Sequence, residues 1–331
     1  MPGPQPSAAD GGSRTGARQP DRWMERLRKL FCGDALFTHR AISRSQALSM
    51  IKKFVRYLHH MRSLQRMNMS LSRAAASAPL REIDPRCPAT WEFSGFSQHG
   101  EDGVIDYLTR RLNQANRYFV EVGASTGIEN NSTWLALARS YSGLMVDGNA
   151  ESIEWCQHLL QSSNYGLRFR QMFITTDNVE ELKSESRFLD PDVFSLDIDG
   201  NDYHVVKALM GVGFRPKIWV VEFNSAFGPE RKVTIPYQAD FQINNTPGLD
   251  LYSGCSISAW RSLMARQGYR FVTVDQCGVN AFFIDPSAFP ADFVDNIQGA
   301  VFFSNRSHVR AYGADWRDHF SKIKHLALVD I

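Results

Sequence analysis

The chain has 331 residues, of which 43% are hydrophobic and 22% are charged. This composition supplies a sizeable core and excludes a wholly disordered chain, a collagen and a small disulfide-stapled protein. The five cysteines are scattered, with no CxxC motif and no Cys/His cluster. They argue against a zinc site or a disulfide framework and favour a reducing compartment, so we expect the protein in the cytoplasm.

Charge divides the chain into two sections. Residues 1–86 hold 16 basic and 6 acidic side chains, a net charge of +10, whereas the remainder holds 21 and 29, a net charge of −8. Residues 1–20 predict a disordered tail that lacks the apolar stretch of a secretory signal. Residues 21–90 predict a basic helical extension and a proline-punctuated linker. The simplest interpretation is a solvated helical pair, and the alternative is a surface for an anionic partner or a membrane.

From residue 91 to residue 331, short apolar runs alternate with helical patterns. Strands are predicted at YFVEV (118–122), GLMVD (143–147), LRFRQMF (167–173), VFSLDI (193–198), KIWVVEF (217–223), RFVTVD (270–275) and VNAFFI (279–284). This alternation is typical of a doubly wound α/β fold with a parallel sheet. The last two strands are separated by a short QCG turn, so the final strand is antiparallel. We therefore predict a Rossmann-like, mostly parallel, seven-stranded sheet, and we expect no transmembrane segment.

A glycine-rich turn follows the first strand in YFVEVGASTGIENNST. The strand carries Glu121, and the turn carries Gly123, Ala124 and Gly127 before a helix begins. Such a turn lets a ligand approach the backbone beside a helix N-terminus. The next strand ends in Asp147. An acidic residue about 20 residues after the glycine turn is the expected partner of ribose hydroxyls. Together the two signals indicate a cofactor that contains a nucleoside.

Acidic residues crowd the ends of the fourth and fifth strands. Asp197, Asp199 and Asp202 lie in FSLDIDGNDYHVV, and Glu222 and Asn224 lie in KIWVVEFNSAFGP. Their repulsion must be offset by a cation, a proton or a hydrogen-bond donor. Asp197 or Asp199, together with Glu222 and Asn224, offers oxygen ligands for a divalent cation. The same carboxylates equally suit a cofactor or a substrate.

The succession of these motifs resembles the FkbM-type methyltransferase family. The matching segments are FSQHGEDGVIDYL, FVEVGASTGIENNSTWLAL, GLMVDGN, DVFSLDIDGNDYHVVKAL and IWVVEFN, within about residues 93–285. The resemblance implies a class I Rossmann-like fold and S-adenosylmethionine as cofactor. The chain departs from the family pattern in its GASTG turn and in VDGNA after the second strand.

The resemblance also implies cofactor-binding roles for particular residues. Glu121, Gly123, Ala124 and Gly127 would form the cofactor turn, and Asp147 would bind the ribose. Asp197 or Asp199 would lie near the methionine or adenine end of the cofactor, and Gln98, Glu101 and Asp102 would cap the site. The function implied is methylation, with oxygen as the expected acceptor atom.

An alcohol acceptor needs a proton acceptor in the enzyme. The sequence offers Asp199, Asp202, His204 and Glu222, with His99 as a further candidate, and we expect the carboxylates to act before either histidine. Residues 225–258 are too long for a minimal connection and predict a substrate or lid insertion. Their aromatic and basic side chains suit a small hydroxylated molecule or a sugar, or plain loop packing. No nucleic-acid partner is expected.

Two other functions remain open from the sequence. The first is a non-catalytic binding module that kept the Rossmann-like pocket but lost the chemistry. The second is a metal-dependent, carbohydrate-acting enzyme that uses the Asp197–Asp202 cluster without a methyl donor.

Overall fold

The computed structural model describes residues 82–331 and four helical positions before them, Phe54, Leu58, Met61 and Leu64. The chain divides into two compact units, residues 1–60 and 61–331, and the fold that follows is that of the second unit. The tail predicted at residues 1–20 lies outside the described residues, as does most of the predicted basic extension. In the part that is described, no helix is long and apolar enough to cross a membrane.

The main sheet has seven strands in the order β3-β2-β1-β4-β5-β8-β7. In chain order the strands are β1 (Tyr118–Val122), β2 (Ser142–Asp147), β3 (Leu167–Gln171), β4 (Val193–Leu196), β5 (Ile218–Glu222), β6 (Val233–Thr234), β7 (Arg270–Val274), β8 (Asn280–Ile284) and β9 (Val329–Asp330). Strands β1 to β5 pair in parallel, whereas β8 runs antiparallel between β5 and β7. Strands β6 and β9 form a separate two-stranded ladder.

Helices connect the parallel strands and cover both faces of the sheet. They are α1 (Glu101–Thr109), α2 (Thr133–Ala138), α3 (Ala150–Leu160), α4 (Val179–Glu185), α5 (Asp202–Gly211), α6 (Ile257–Arg266), α7 (Ala291–Asn296), α8 (Arg306–Tyr312) and α9 (Trp316–Ile323). One apolar layer includes Phe194, Trp219 and Trp260, and the other includes Phe119 and Phe282. The predicted Rossmann-like sheet with an antiparallel final strand is therefore confirmed.

The predicted strands are confirmed, although most of them are shorter than predicted by one or two residues. Strand β4 ends at Leu196 instead of residue 198 because the next backbone groups are used by a turn. The N–H groups of Ile198 and Gly200 donate to the carboxylate of Asp202, so they are withdrawn from the sheet ladder. The turn then leads directly into α5.

Sheet order places a topological switch point between β1 and β4. The chain builds outward from β1 through β2 and β3, then returns to add β4 and β5 on the other side. In open α/β sheets, ligands bind outside the carboxyl ends of the strands at such a point. The predicted site residues after β1, β2, β4 and β5 all lie along this edge.

A smaller core joins the segment after β5 to the end of the described chain. Phe227, Ile235 and Leu251 from the first segment pack with Ile323 of α9. The β6–β9 ladder links the same two parts. The predicted insertion at residues 225–258 is thus one half of a lobe whose other half follows the main sheet.

Candidate functional site

The glycine turn brings the ends of β1 and β4 into close contact. Gly123 has φ +90°, a conformation that favours glycine, and a Cβ there would lie 1.8 Å from the carbonyl oxygen of Asp197. Gly127 has φ +78°, and its Cβ would lie 2.9 Å from the sulfur of Cys156 in α3. The Ala124 N–H donates to Val146 in β2. These residue types are therefore required by the packing of the turn itself.

Glu121 holds the loop that leads into α2. Its two carboxylate oxygens accept the N–H groups of Asn131 at 2.8 Å and Ser132 at 3.0 Å. Burial raises the pKa of Glu121 to about 7, although these two hydrogen bonds act in the opposite direction. The side chain lies beside the crevice but also has a structural role.

Asp147 connects the ends of β1 and β2. Its Oδ2 accepts the N–H of Ser125 in the glycine turn at 2.7 Å, and its Oδ1 accepts the N–H of Asn149 at 2.7 Å. Ser125 has φ +48°, an uncommon backbone conformation that this hydrogen bond supports. The two strand ends therefore face each other, as a shared nucleoside site requires.

Residues 92–100 form a strap that precedes α1, and Asp102 holds it in place. One oxygen of the buried Asp102 carboxylate accepts the backbone N–H groups of residues 95–97, at 2.6 to 2.9 Å. Burial raises the pKa of Asp102 to about 7. Glu101 accepts the N–H of His99 in the strap and the side-chain Nδ2 of Asn280 in β8. Glu101 therefore ties the strap to the β7–β8 hairpin.

A cavity of about 80 Å³ opens at the switch point, and we call it the switch-point cavity. It is smaller than a typical whole-ligand site and fits one end of a small molecule. It is lined by Gln98, His99, Glu101, Glu121, Gly123, Glu129, Asn130, Asn131, Asp197, Val279 and Asn280. Five predicted cofactor residues, Gln98, Glu101, Glu121, Gly123 and Asp197, are thus brought together. Asp102, Ala124, Gly127 and Asp147 support the surrounding turns instead of lining this cavity.

Three carboxylates meet at the ends of β4 and β5. Asp197, Asp199 and Glu222 each offer an oxygen within 4.8 Å of the others. Burial raises the pKa of Asp197 and of Glu222 well above the usual range, and the neighbouring carboxylates add to the effect. In the part of the chain described, no hydrogen bond from a protein donor stabilises these three charges. We call Asp197, Asp199 and Glu222 the donor-free carboxylates.

Two predicted catalytic residues have polar atoms that are already used by the protein. Asp202 accepts backbone N–H groups with both oxygens at the start of α5, and burial raises its pKa to about 6. His204, one turn into the same helix, lies 2.9 Å through Nε2 from the carbonyl oxygen of Ile235. The imidazole therefore donates to the carbonyl and holds the loop after β6.

The Asn224 side chain holds the loop after β5. Its Nδ2 donates to the carbonyls of Leu251 and Ser253, and its Oδ1 accepts the N–H of Ala226. These bonds use the oxygen that the sequence offered as a metal ligand. Among the described residues, the acidic group close enough to share a metal ion is Asp197, Asp199 and Glu222.

Sequence reasoning missed part of the cavity wall. Glu129 has φ +67°, and its carboxylate accepts a hydrogen bond from Gln98 at 3.2 Å. Asn131 donates to Ser195 in β4, and Asn280 comes from β8, which lies beside β5. The available signals were the polar string IENN and the polar first residue of the buried strand NAFFI. Neither signal reveals which segments meet, because β8 reaches β5 only through the tertiary pairing.

The lobe after β5 covers the turn at the end of β4. A Cβ on Gly200 would lie 2.3 Å from the ring of Phe241, so this aromatic side chain packs directly on the turn. Asn201 donates to the carbonyl of Gln238, and the N–H of Gly254 donates to the carbonyl of Gly200. The lobe is therefore fixed beside the donor-free carboxylates.

No protein-family model matches the chain, and neither does any curated protein. Among solved structures, the chain is similar to an O-methyltransferase from Bacillus cereus in complex with S-adenosylhomocysteine, with 14% identity, 67% of this chain and 89% of that chain covered, and a TM-score of 0.37. It is also similar to the O-methyltransferase TomG from Streptomyces achromogenes in complex with S-adenosylmethionine. The identity is 15%, the match covers 63% of this chain and 92% of that chain, and the TM-score is 0.37. A third similar structure is a methyltransferase from Thiobacillus denitrificans in complex with S-adenosylhomocysteine. The identity is 12%, the match covers 60% of this chain and 71% of that chain, and the TM-score is 0.32. Likenesses this distant concern the fold alone.

Proposed function

We propose that this chain is an S-adenosylmethionine-dependent methyltransferase of the FkbM type, acting on a hydroxyl group of a small molecule or a sugar. The observation that carries the proposal is the switch-point cavity, where a glycine turn meets Asp197, one of the donor-free carboxylates. The order of the sequence motifs supports the family assignment. The sheet order, with an antiparallel strand inserted beside β5, supports the class.

The charge of the site suits this cofactor. Four of the lining residues are acidic, namely Glu101, Glu121, Glu129 and Asp197, and none of the lining residues is a lysine or an arginine. Burial raises the pKa of Asp197 and the neighbouring carboxylates add to the effect, so a cationic group entering this cavity would relieve that repulsion. S-Adenosylmethionine carries a sulfonium and an ammonium, whereas a phosphate-bearing cofactor would be repelled. The residues present therefore fit the proposed cofactor.

The nucleoside would lie on the other side of the glycine turn. Asp147 holds Ser125 and lies at the end of β2, where ribose hydroxyls would be accepted. The turn between β1 and α2 keeps its shape because Gly123 and Gly127 have no Cβ. The proposal gives Asp147 two roles, which are shaping the turn and accepting from the ribose.

The bound cofactor supplies a methyl group on a positively charged sulfur. The protein contributes alignment, which is worth several kcal/mol in such displacements, and an acceptor for the hydroxyl proton. Asp199 and Glu222 are the proposed bases because their oxygens have no protein donors in the described region and the pKa of each is raised by burial. Asp202 and His204 are proposed as positioning residues, since their polar atoms hold the backbone.

A divalent cation is a second way to stabilise the donor-free carboxylates. Asp197, Asp199 and Glu222 would supply oxygen ligands of the kind that Mg²⁺ and Ca²⁺ prefer. In that case, chelation should lower turnover and a calorimetric titration with CaCl₂ should show one site. Binding of CaCl₂ without binding of S-adenosylmethionine would favour the metal-dependent carbohydrate enzyme instead.

The lobe that residues 225–258 form with α8, α9 and the strand β9 is the proposed acceptor side. Phe241 packs on Gly200, which directly follows Asp199 of the donor-free carboxylates. An acceptor held by this lobe would approach the carboxylates from the side opposite Asp147. This arrangement leaves the nucleoside and the acceptor on different sides of the cavity.

The test has two stages. Isothermal titration with S-adenosylmethionine and S-adenosylhomocysteine should show one saturable site for each compound. Transfer of a labelled methyl group to a panel of hydroxylated compounds should then give a methylated product. Binding without transfer would favour the non-catalytic module, and the absence of binding by both compounds would overturn the proposal.

A further inference from the structure

The loop after β3, residues 172–178, rests on the end of β2. The N–H of Met172 donates to the carbonyl of Asp147 at 2.9 Å. A Cβ on Gly148 would lie 2.9 Å from the ring of Phe173, so this ring packs directly on the residue that follows Asp147. Phe173 is nevertheless 51% exposed, and the loop contains no helix or strand. A nucleoside bound at the end of β2 would therefore lie beside this loop.

Residues 235–241 of the lobe run along the start of α5, and we call them the crossing segment. Nε2 of His204 donates to the carbonyl of Ile235 at 2.9 Å. Nδ2 of Asn201 donates to the carbonyl of Gln238 at 2.6 Å. Two side chains of one helix start thus hold the crossing segment at two points, three residues apart.

The far end of the crossing segment lies beside the donor-free carboxylates. The ring of Phe241 packs on Gly200, the residue that directly follows Asp199. Residues 242–247 continue from Phe241 without a helix or strand, and most of them are exposed. Segments with few buried contacts open locally at a small cost in free energy. The order of this part of the lobe is therefore sensitive to single contacts.

Tyr237 joins the crossing segment to the loop after β3. Its hydroxyl oxygen accepts the N–H of Thr176 at 3.2 Å, across 61 positions of the chain. Its ring makes an edge contact with His204, with 5.6 Å between the ring centroids. Within the loop, Asn178 donates to the carbonyl of Phe173 at 2.9 Å. A series of direct contacts thus leads from the end of β2 to the turn after β4.

We propose that Tyr237 couples the nucleoside side of the site to the acceptor lobe, so that a bound nucleoside orders residues 238–247 beside the donor-free carboxylates. A ligand that orders the loop after β3 fixes the N–H of Thr176, and the crossing segment then loses less entropy when it closes. Tyr237 is therefore a positioning residue, which acts through Thr176. This inference rests on the proposed function, because the ligand is the nucleoside of S-adenosylmethionine.

The experiment compares Tyr237→Phe with Tyr252→Phe in the full-length protein. Tyr237→Phe keeps the ring beside His204 and removes the acceptor of the Thr176 N–H. Tyr252→Phe is the matched control, because it removes a hydroxyl of the same lobe that donates to the carbonyl of Ala327. Hydrogen exchange of residues 172–178 and 238–247 is followed by mass spectrometry, with and without saturating S-adenosylhomocysteine. Calorimetry measures binding of the same compound.

In the wild type, S-adenosylhomocysteine should slow exchange of residues 238–247 by about fivefold or more. In Tyr237→Phe, the compound should still protect residues 172–178, but residues 238–247 should exchange at the same rate with and without it. Since coupling is reciprocal, the affinity of this variant should fall by no more than the factor lost from the exchange of residues 238–247. Tyr252→Phe should retain the difference that the wild type shows between the two states.

A merely structural role of Tyr237 predicts a different result. Exchange of residues 238–247 would then rise equally in both states of Tyr237→Phe, the slowing by S-adenosylhomocysteine would persist, and the proposal would be overturned. Loss of the slowing in Tyr252→Phe as well would also contradict it. A wild type that binds the compound without slowing residues 238–247 overturns the coupling and leaves the proposed function intact. A wild type that binds neither S-adenosylmethionine nor S-adenosylhomocysteine overturns both.

Discussion

The carboxylates at the carboxyl edge of the sheet belong to two groups with different surroundings. Asp102, Glu121, Asp147 and Asp202 accept backbone N–H groups, and we call them the clamped carboxylates. The donor-free carboxylates, Asp197, Asp199 and Glu222, receive no such bond from the described residues. The clamped group shapes the strap, the glycine turn and the start of α5.

This difference indicates a division of labour within one acidic edge. Asp197 and Glu222 are half-buried without a protein donor among the described residues, whereas Asp199 beside them is exposed. A half-buried charge without a partner is unfavourable, so a fold retains it where a ligand, proton or cation supplies the partner. The clamped carboxylates already have partners and stabilise loops. We therefore expect their removal to alter the fold locally, and we expect removal of the donor-free carboxylates to alter ligand binding and chemistry.

The largest effect is expected from a substitution that separates the two strand ends. Gly123→Ala places a Cβ 1.8 Å from the carbonyl oxygen of Asp197 and holds an L residue at φ +90°. We expect it to lower the free energy of unfolding by about 2–4 kcal/mol and to abolish nucleoside binding. Gly211→Ala is the control, since a Cβ there meets nothing within 4 Å and lies in a helix. Thermal unfolding and calorimetry check both variants, and equal behaviour of the two would disprove the role of the turn.

The next comparison opposes one member of each group within the same turn. Asp199→Asn should lower kcat by about 100-fold or more through loss of the base, with stability within about 0.5 kcal/mol of wild type. Asparagine tolerates the φ of +55° at this position. Asp202→Ala should instead cost about 1–2 kcal/mol, because the N–H groups of Ile198 and Gly200 lose their acceptor. If Asp199→Asn turns over as fast as wild type, the assignment of the base is wrong.

A smaller effect is expected at the nucleoside side. Asp147→Ala removes the acceptor of Ser125 and the proposed ribose contact together, so S-adenosylmethionine should bind about tenfold more weakly, or about 1.4 kcal/mol. Asp190→Ala, at an exposed position outside the site, should bind as wild type. Unchanged affinity in Asp147→Ala would remove this residue from the cofactor site.

The smallest effect concerns the pH dependence of stability. The pKa of Glu222 is raised by burial and by its acidic neighbours, so the folded protein holds this proton to higher pH than the unfolded chain does. Stability from this group is therefore present below the unfolded pKa and is lost as pH rises through the folded pKa. Glu222→Gln should flatten that decline and raise Tm at pH 8 by about 2–4 °C. The exposed control Glu154→Gln should leave the curve unchanged, and parallel curves for all three proteins would contradict the account.

The fold was predictable because its strands are buried apolar runs with polar ends. The runs at 118–122 and 280–284 are fully buried, and their composition alone separates them from the helical patterns between strands. Strand ends were less predictable. Strand β4 ends after Leu196 because the Asp202 carboxylate accepts the backbone N–H of Ile198. The pattern of apolar residues in the sequence does not show this hydrogen bond.

The site was predictable where it follows a strand and unpredictable where it depends on pairing. Gly123 and Asp197 come directly after β1 and β4, so the parallel sheet brings them together. Asn280 reaches the cavity because β8 inserts beside β5, which the hairpin sequence does not specify. Residue type also does not show which carboxylate of this turn is hydrogen-bonded: Asp202 accepts the N–H groups of Ile198 and Gly200, whereas Asp199 accepts none from the described residues.

The most direct test of the central claim is a calorimetric titration of S-adenosylmethionine into wild type and Asp197→Asn. Asp197 has no protein donor to lose within the described residues, so the variant should fold as wild type does. We predict one site per chain in the wild type and affinity at least about tenfold weaker in the variant, because the carboxylate charge is gone. Equal affinity in both proteins, or no binding by wild type at about 1 mM, would contradict the claim.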